Sequence, residues 1–176
     1  MSETLDRYTS LAADFGARVH GATDWSATSP CESWTAREVA AHIISGHRRL
    51  VGAENTEVGA DEDVVAAWDD ATAGLKAVLA DDAKAGASVP TPFGPMPLEQ
   101  MVGRFVCMDV LVHTWDLARA TGQDEALQAD AVESAYSGLK PMDAMLRSPG
   151  IFGPKVESAP DADAQTQFLN FLGRVV

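Results

Sequence analysis

The sequence predicts an all-α protein: a four-helix bundle with extra short helices, in a single domain over residues 1–176. Three observations predict it. Apolar residues recur at three- and four-residue spacing over four long stretches, the pattern of amphipathic helices. Helix start and stop signals bracket those stretches. Strand-like alternation is weak, and the chain shows no internal repeat or low-complexity tract. With 176 residues and a 46% hydrophobic composition, the chain is long and apolar enough for one buried core.

Leu5, Tyr8, Leu11, Phe15 and Val19 share one helical face, so residues 3–21 form the first helix. Residues 22–33 are polar and contain Ser29-Pro30-Cys31, which reads as a loop. Thr35-Ala36-Arg37-Glu38 is a capping box, in which Thr35 and Glu38 reciprocally satisfy backbone donors of the first turn. It opens a second helix to about Val51, with Val39, Ile43, Gly46 and Leu50 on one face. Residues 55–61 connect to a third helix over about 62–79, with Val65, Trp68, Leu75 and Val78 or Leu79 inward. Residues 83–97 hold four prolines and two glycines, which predicts an ordered loop or a short hairpin. Pro97 suits the first turn of a fourth helix that runs to Thr121 and stops at Gly122. Residues 127–145 are helical in pattern with a break at Pro141. Residues 148–160 read as loop, and a short final helix covers 162–174.

The formal net charge is −13, from 26 acidic and 13 basic residues. A protein that binds a phosphate backbone or an anionic membrane surface needs a basic face, so neither nucleic acid nor membrane is expected as a partner. The longest apolar run, residues 105–112, is interrupted by Asp109 and is too short to span a bilayer. The opening segment has neither a basic nor an apolar leader region, so a cytoplasmic location with free thiols at Cys31 and Cys107 is expected. Cys107 sits in an apolar stretch and reads as an inert core thiol. Cys31 lies in a loop where nothing nearby in sequence would lower its pKa.

The chemistry is concentrated on the fourth helix. Asp109 stands among apolar neighbours, where a buried carboxylate needs a partner. His113 follows four residues later on the same face, with Cβ atoms roughly 5–6 Å apart. Asp116 extends the stripe. Taken alone, the stripe reads first as a His–Asp pair facing water and only second as a ligand pair. On the second helix, His42 is either a satisfied core histidine or a third ligand for a cation. Gly46, in a helix interior, makes sense if something approaches closely there. His47 points away from His42, and His20 is expected to be exposed. Two imidazoles and one carboxylate make an open site of the kind catalytic zinc uses, and nickel, iron or manganese suit the same donors. Asp116 or Glu38 would accept a ligand-histidine N–H and orient its ring.

Ser29-Pro30-Cys31 with Trp34-Thr35-Ala36-Arg37-Glu38-Val39-Ala40-Ala41-His42, and Asp109-Val110-Leu111-Val112-His113-Thr114-Trp115-Asp116-Leu117-Ala118-Arg119-Ala120-Thr121-Gly122, resemble a known group. It is the mycothiol-dependent maleylpyruvate isomerase N-terminal domain family of the DinB/YfiT-like superfamily, in its short "metal-binding protein" branch. The tail, Ile151-Phe152-Gly153 and residues 167–174, agrees. The resemblance implies a four-helix bundle of DinB/YfiT-like type. It also implies a metal held by a histidine of the second helix and an acid-x-x-x-His pair of a later one, which fall here on His42, Asp109 and His113. In the isomerase the acid resembles a glutamate, and the isomerase carries a further C-terminal domain that is not expected here. The isomerase reaction is therefore not transferred.

The function expected is that of a divalent-metal-binding protein: a metal-dependent thiol S-transferase or isomerase-like enzyme, with mycothiol as the thiol the family implies. Its partners would then be a small-molecule thiol and an electrophile. Arg119 and Arg104, with Arg48 and Arg49, are candidates for holding a carboxylate of either. The alternative is a non-catalytic metal-binding module with a structural, sensing or stress-related role. A homodimer through exposed bundle faces is expected by analogy.

Overall fold

The computed structural model describes residues 2–91, 94–147 and 153–176. Its contacts group into two compact units, residues 1–124 and 125–176. The elements of the first unit are α1 (Glu3–Gly21), α2 (Ala36–Leu50), α3 (Val64–Leu79), α4 (Asp82–Ala85), β1 (Ser88–Val89), β2 (Met96–Pro97), α5 (Leu98–Met101) and α6 (Cys107–Thr121). The second unit contains α7 (Ala129–Leu139), α8 (Asp143–Leu146) and α9 (Ala164–Phe171). The fold is all-α and DinB-like, with one very small hairpin. No described helix is long and apolar enough to cross a membrane.

Each long helix of the bundle's first half begins where its sequence supplies a cap. Ser2 accepts from the Leu5 backbone at the head of α1. Thr35 and Glu38 form the full capping box of α2. Asp63 accepts from the backbones of Val65 and Ala66 at the head of α3. These side chains satisfy backbone donors that the first turn leaves without partners. At the far end of α6, Gly122 adopts the left-handed conformation (φ 68°) that closes the helix, which glycine reaches without Cβ strain.

The first unit is a bundle in which α1 and α2 stand at opposite corners: each packs on both α3 and α6. Tyr8, Phe15, Val39, Ile44, Trp68, Leu75, Trp115 and Leu117 fill its centre and are essentially inaccessible to water. Each such side chain contributes about 1.5–3 kcal/mol on burial. Phe15 packs against Trp68 with ring centroids 4.7 Å apart. Trp68 lies so close to α1 that a Cβ on Gly16 would sit 2.9 Å from its Nε1.

Several expectations shift. α3 begins at Val64, so Val64 is the buried residue and Val65 is half-buried. Leu50 is also only half-buried. The 83–97 segment forms a helical turn and a hairpin pairing Ser88 with Pro97 and Val89 with Met96; Pro92 and Phe93 lie outside the described residues. The fourth long helix is not one regular α-helix. A wide turn, Val102–Val106, separates α5 from α6, with the Cys107 N–H reaching back to the Val102 carbonyl. Such an extra residue per turn rotates everything that follows around the helix axis, Asp109 and His113 included. A Cβ placed on Gly46 would meet nothing within 4 Å, so no close approach explains that glycine.

In the second unit, α7 ends in a tight turn at Lys140–Met142, where Pro141 removes a backbone donor. α9 packs on α7, with Phe168 and Phe171 against Tyr136. The tail motif residues Ile151 and Phe152 lie outside the described residues.

Candidate metal centre

His42 projects from α2 toward α6, and its Nε2 lies 3.1 Å from Asp109 Oδ2. One turn along α6, His113 places its own Nε2 3.5 Å from the other oxygen, Asp109 Oδ1. One donor atom from each of His42, Asp109 and His113 lies within 4.8 Å of the other two. The side chains of His42 and Asp109 keep 36% and 42% of their surface open to solvent, whereas that of His113 keeps 8%. The centre thus has one buried wall and one open side.

The apolar neighbours of Asp109 in sequence do not bury it completely, because the helix turns them into the bundle and leaves the carboxylate at its edge. Its partial burial opposes ionisation, but the hydrogen bonds and charge of His113 and His42 outweigh that and hold the carboxyl well below the usual range. Burial likewise opposes charge on His113. Hydrogen bonds to Asp109, Asp116 and Cys31 overcome it and raise its pKa well above that of a free imidazole. The imidazole of His113 thus lies between two carboxyl groups, with Asp109 on its Nε2 edge and Asp116 on its Nδ1 edge.

Asp116 is the second of these. It is fully buried, and its Oδ2 lies 2.9 Å from His113 Nδ1. An ionised carboxylate only accepts, so Nδ1 carries the proton of this bond. The Nε2 edge of the ring then faces Asp109. This is the outer-sphere geometry that orients metal-binding histidines. Glu38 sits elsewhere: its Oε2 accepts from the backbone N–H of Thr35 at 2.7 Å and from the Thr35 hydroxyl at 2.8 Å. The capping box uses the carboxylate that a ligand ring would need.

Trp34 closes one flank. Its ring stacks at 5.9 Å and 29° on His113 and lies 5.1 Å from the ring of His42. Cys31, for which the sequence suggested no role, also reaches the centre. Its Sγ is 3.2 Å from Asp116 Oδ2 and 3.9 Å from His113 Nδ1. Cys31, His113 and Asp116 make a second convergent donor group on the opposite edge of the same imidazole. The position of Cys31 just before the capping box was the available signal, but nothing in sequence shows which carboxylate it meets.

Arg48 pairs with Glu62 at 2.5 Å, and Arg49 with Glu57 at 3.4 Å. Arg119 lays its guanidinium over the ring of Trp115, 4.5 Å from its centroid. Arg104 is exposed on the wide turn before α6. His20 is exposed and bonds the Gly16 carbonyl and Asp69. His47 is buried in the bundle against Tyr8 and Trp68. Cys107 is buried, and that burial pushes its thiol pKa up.

The family model of the mycothiol maleylpyruvate isomerase N-terminal domain matches residues 7–65, a span that contains Cys31, Trp34 and His42 and ends before Asp109. Two uncharacterized proteins of Mycobacterium tuberculosis, from strains CDC 1551 / Oshkosh and ATCC 25618 / H37Rv, are each 31% identical to the chain over 153 residues. The alignment covers 84% of this chain and 84% of each relative. No solved structure matches the chain significantly. The chain belongs to the mycothiol maleylpyruvate isomerase N-terminal domain family.

Proposed function

We propose that the chain binds one divalent transition metal, zinc foremost, on His42, Asp109 and His113, and uses it in thiol S-transfer or an isomerase-like reaction on an electrophilic small molecule. The observation that carries this reading is the convergence of three donor atoms within 4.8 Å, drawn from two helices. A buried carboxylate fixes the far edge of the least exposed ligand. The donor set of two imidazole nitrogens and one carboxylate oxygen fits zinc, and nickel, iron or manganese by the same chemistry. Three protein donors with an open side leave room for an outside donor. Mycothiol is the thiol suggested by the family.

A divalent ion held there would supply Lewis acidity and favour the thiolate form of an incoming thiol. The chain's own groups do the rest. Asp116 orients His113. Asp109 balances charge and spaces the two rings. Trp34 shields one flank from water and offers an apolar wall to a substrate. The half-exposed faces of His42 and Asp109 give access. A second reading, a non-catalytic module with a structural, sensing or stress-related role, draws support from the burial of His113 and Asp116, because an ion at this place would tie α2 to α6.

Metal analysis of the purified chain, with His42→Ala and Asp109→Ala beside it, tests the site. About one equivalent in the parent and none in the variants is expected, and equal metal in all three would sink the assignment. Turnover of a panel of electrophiles with mycothiol, and with other low-molecular-weight thiols, then separates the two readings. Metal without any thiol-dependent rate favours the non-catalytic one.

A further inference from the structure

Cys31 is a chemically capable side chain to which the metal role above assigns no task. It is placed with care. Ser29 N–H donates to the Trp34 carbonyl at 2.9 Å, and Trp34 N–H donates to the Cys31 carbonyl at 3.0 Å. Cys31 N–H donates to Ser29 Oγ at 3.2 Å. Thr28 bridges Thr35 across the base of the loop. Ser33 holds a left-handed backbone (φ 67°), which a residue with a Cβ adopts only when its surroundings impose it. This small, stapled loop delivers Sγ to within 3.2 Å of Asp116 Oδ2.

Asp116 has no exposed surface. A buried carboxylate is tolerated only when donors satisfy it, and it is held in place by them. Oδ2 accepts from the His113 Nδ1–H at 2.9 Å and from the Cys31 S–H at 3.2 Å. The carboxylate cannot donate in return, so both partners present their hydrogens to the same oxygen. Without the thiol, that oxygen keeps the imidazole bond but loses the contact that fixes its direction from the loop side. The carboxylate can then turn about that bond and carry the His113 ring with it, which moves Nε2 from the place where it faces Asp109.

We propose that Cys31 is a positioning residue for the metal centre. Its thiol donates to Asp116, Asp116 aims His113, and the helix-borne ligand set therefore depends on a loop 85 positions away from that carboxylate in sequence. The inference rests on the metal reading given above. Outer-sphere partners of this kind change metal affinity by roughly 10–100-fold when removed.

The test uses the full chain and titrates cobalt(II) and zinc(II) against a chromophoric chelator, for the parent, Cys31→Ala, Cys31→Ser, Asp116→Asn and the Cys31→Ala/Asp116→Asn pair. Cys31→Ala should bind roughly tenfold more weakly. Cys31→Ser, which keeps a donor, should recover most of that loss. In the Asp116→Asn background, Cys31→Ala should add nothing, because its path runs through the carboxylate. Unchanged affinity in Cys31→Ala overturns the proposal, and so does full additivity in the pair. A sulfur-to-cobalt charge-transfer band in the parent, absent in Cys31→Ser, overturns it too, since sulfur is then a direct ligand. A parent chain that takes up no metal removes the metal reading and this inference together, whereas metal uptake indifferent to Cys31 removes this inference alone. If Cys31→Ala does not fold, the S–H stretching band of a metal-free Cys107→Ser chain decides. It should move to higher frequency on Asp116→Asn, and an unmoved band refutes the hydrogen bond.

Discussion

His42 and His47 lie five residues apart on α2, and the bundle treats them in opposite ways. His42 keeps a third of its side-chain surface open and meets the Asp109 carboxylate at 3.1 Å. His47 is 1% exposed, its Nδ1 is 3.4 Å from the Tyr8 hydroxyl, and its Nε2 has no hydrogen-bond partner among the described residues. Five residues turn a side chain by roughly 140° around a helix. That angle carries one imidazole to a carboxylate at the bundle edge and the other into the aromatic centre beside Trp68. Burial pushes His47 down to a pKa of about 4, against the pull of the negative charge on Asp109. The same residue type on the same helix is thus a candidate ligand in one place and a neutral core group in the other. What differs is the chemistry that the facing helices supply.

The sharpest break of this comparison is metal binding. His42→Ala should lose more zinc affinity than the roughly 100-fold ceiling for outer-sphere partners, whereas His47→Gln should bind zinc as the parent does. Isothermal titration of both variants measures this, and equal losses would mean that the two histidines do not have separate roles.

The next effect is acid stability. His47 resists protonation in the folded chain, so the unfolded chain takes up that proton first. Its contribution is complete above the ordinary value of 6.5 and is lost as pH falls from there toward about 4. At about 1.4 kcal/mol per pH unit, the window amounts to roughly 3 kcal/mol. Urea unfolding of the parent and of His47→Gln across that range should show the parent losing stability faster. Parallel curves would refute the buried neutral imidazole.

A smaller effect separates the two ends of α2. Thr35→Ala removes half of the capping box and should cost about 1 kcal/mol. Hydrogen exchange should quicken in the first turns, toward His42, and stay slow around His47. Uniform quickening along the helix would contradict a local cap.

Smallest is Gly46→Ala. A Cβ there meets nothing within 4 Å, so the exchange should stabilise the chain by roughly 0.5–1 kcal/mol through helix propensity alone. Thermal unfolding reads it. A loss of stability would restore the idea that something approaches that backbone.

Much of the architecture is legible in the order of residues. α1 and α2 begin and end where Leu5 to Val19 and the Thr35–Glu38 box place them, because spacing and capping are local. Gly122 stops α6 for the same reason. The side-by-side placement of Asp109 and His113 follows from a four-residue step on one helix. Glu38 was legible in two conflicting ways, as a cap and as a partner for a ligand ring. One carboxylate serves one set of donors, and the nearer backbone took it. The wide turn at Val102–Val106 escaped, since its extra residue leaves the apolar pattern intact while rotating the helix beyond it.

By itself the sequence of this chain determined where helices start, where they stop and which side chains share a face, because those choices are made by neighbours within a turn or two. Tertiary structure alone decided that the sulfur of Cys31 touches the carboxylate of Asp116, 85 positions later, and that His42 crosses to Asp109 from another helix. Contacts of that span depend on how helices pack and on the phase with which they arrive. Both are set by the whole core at once, and no local stretch of sequence encodes them.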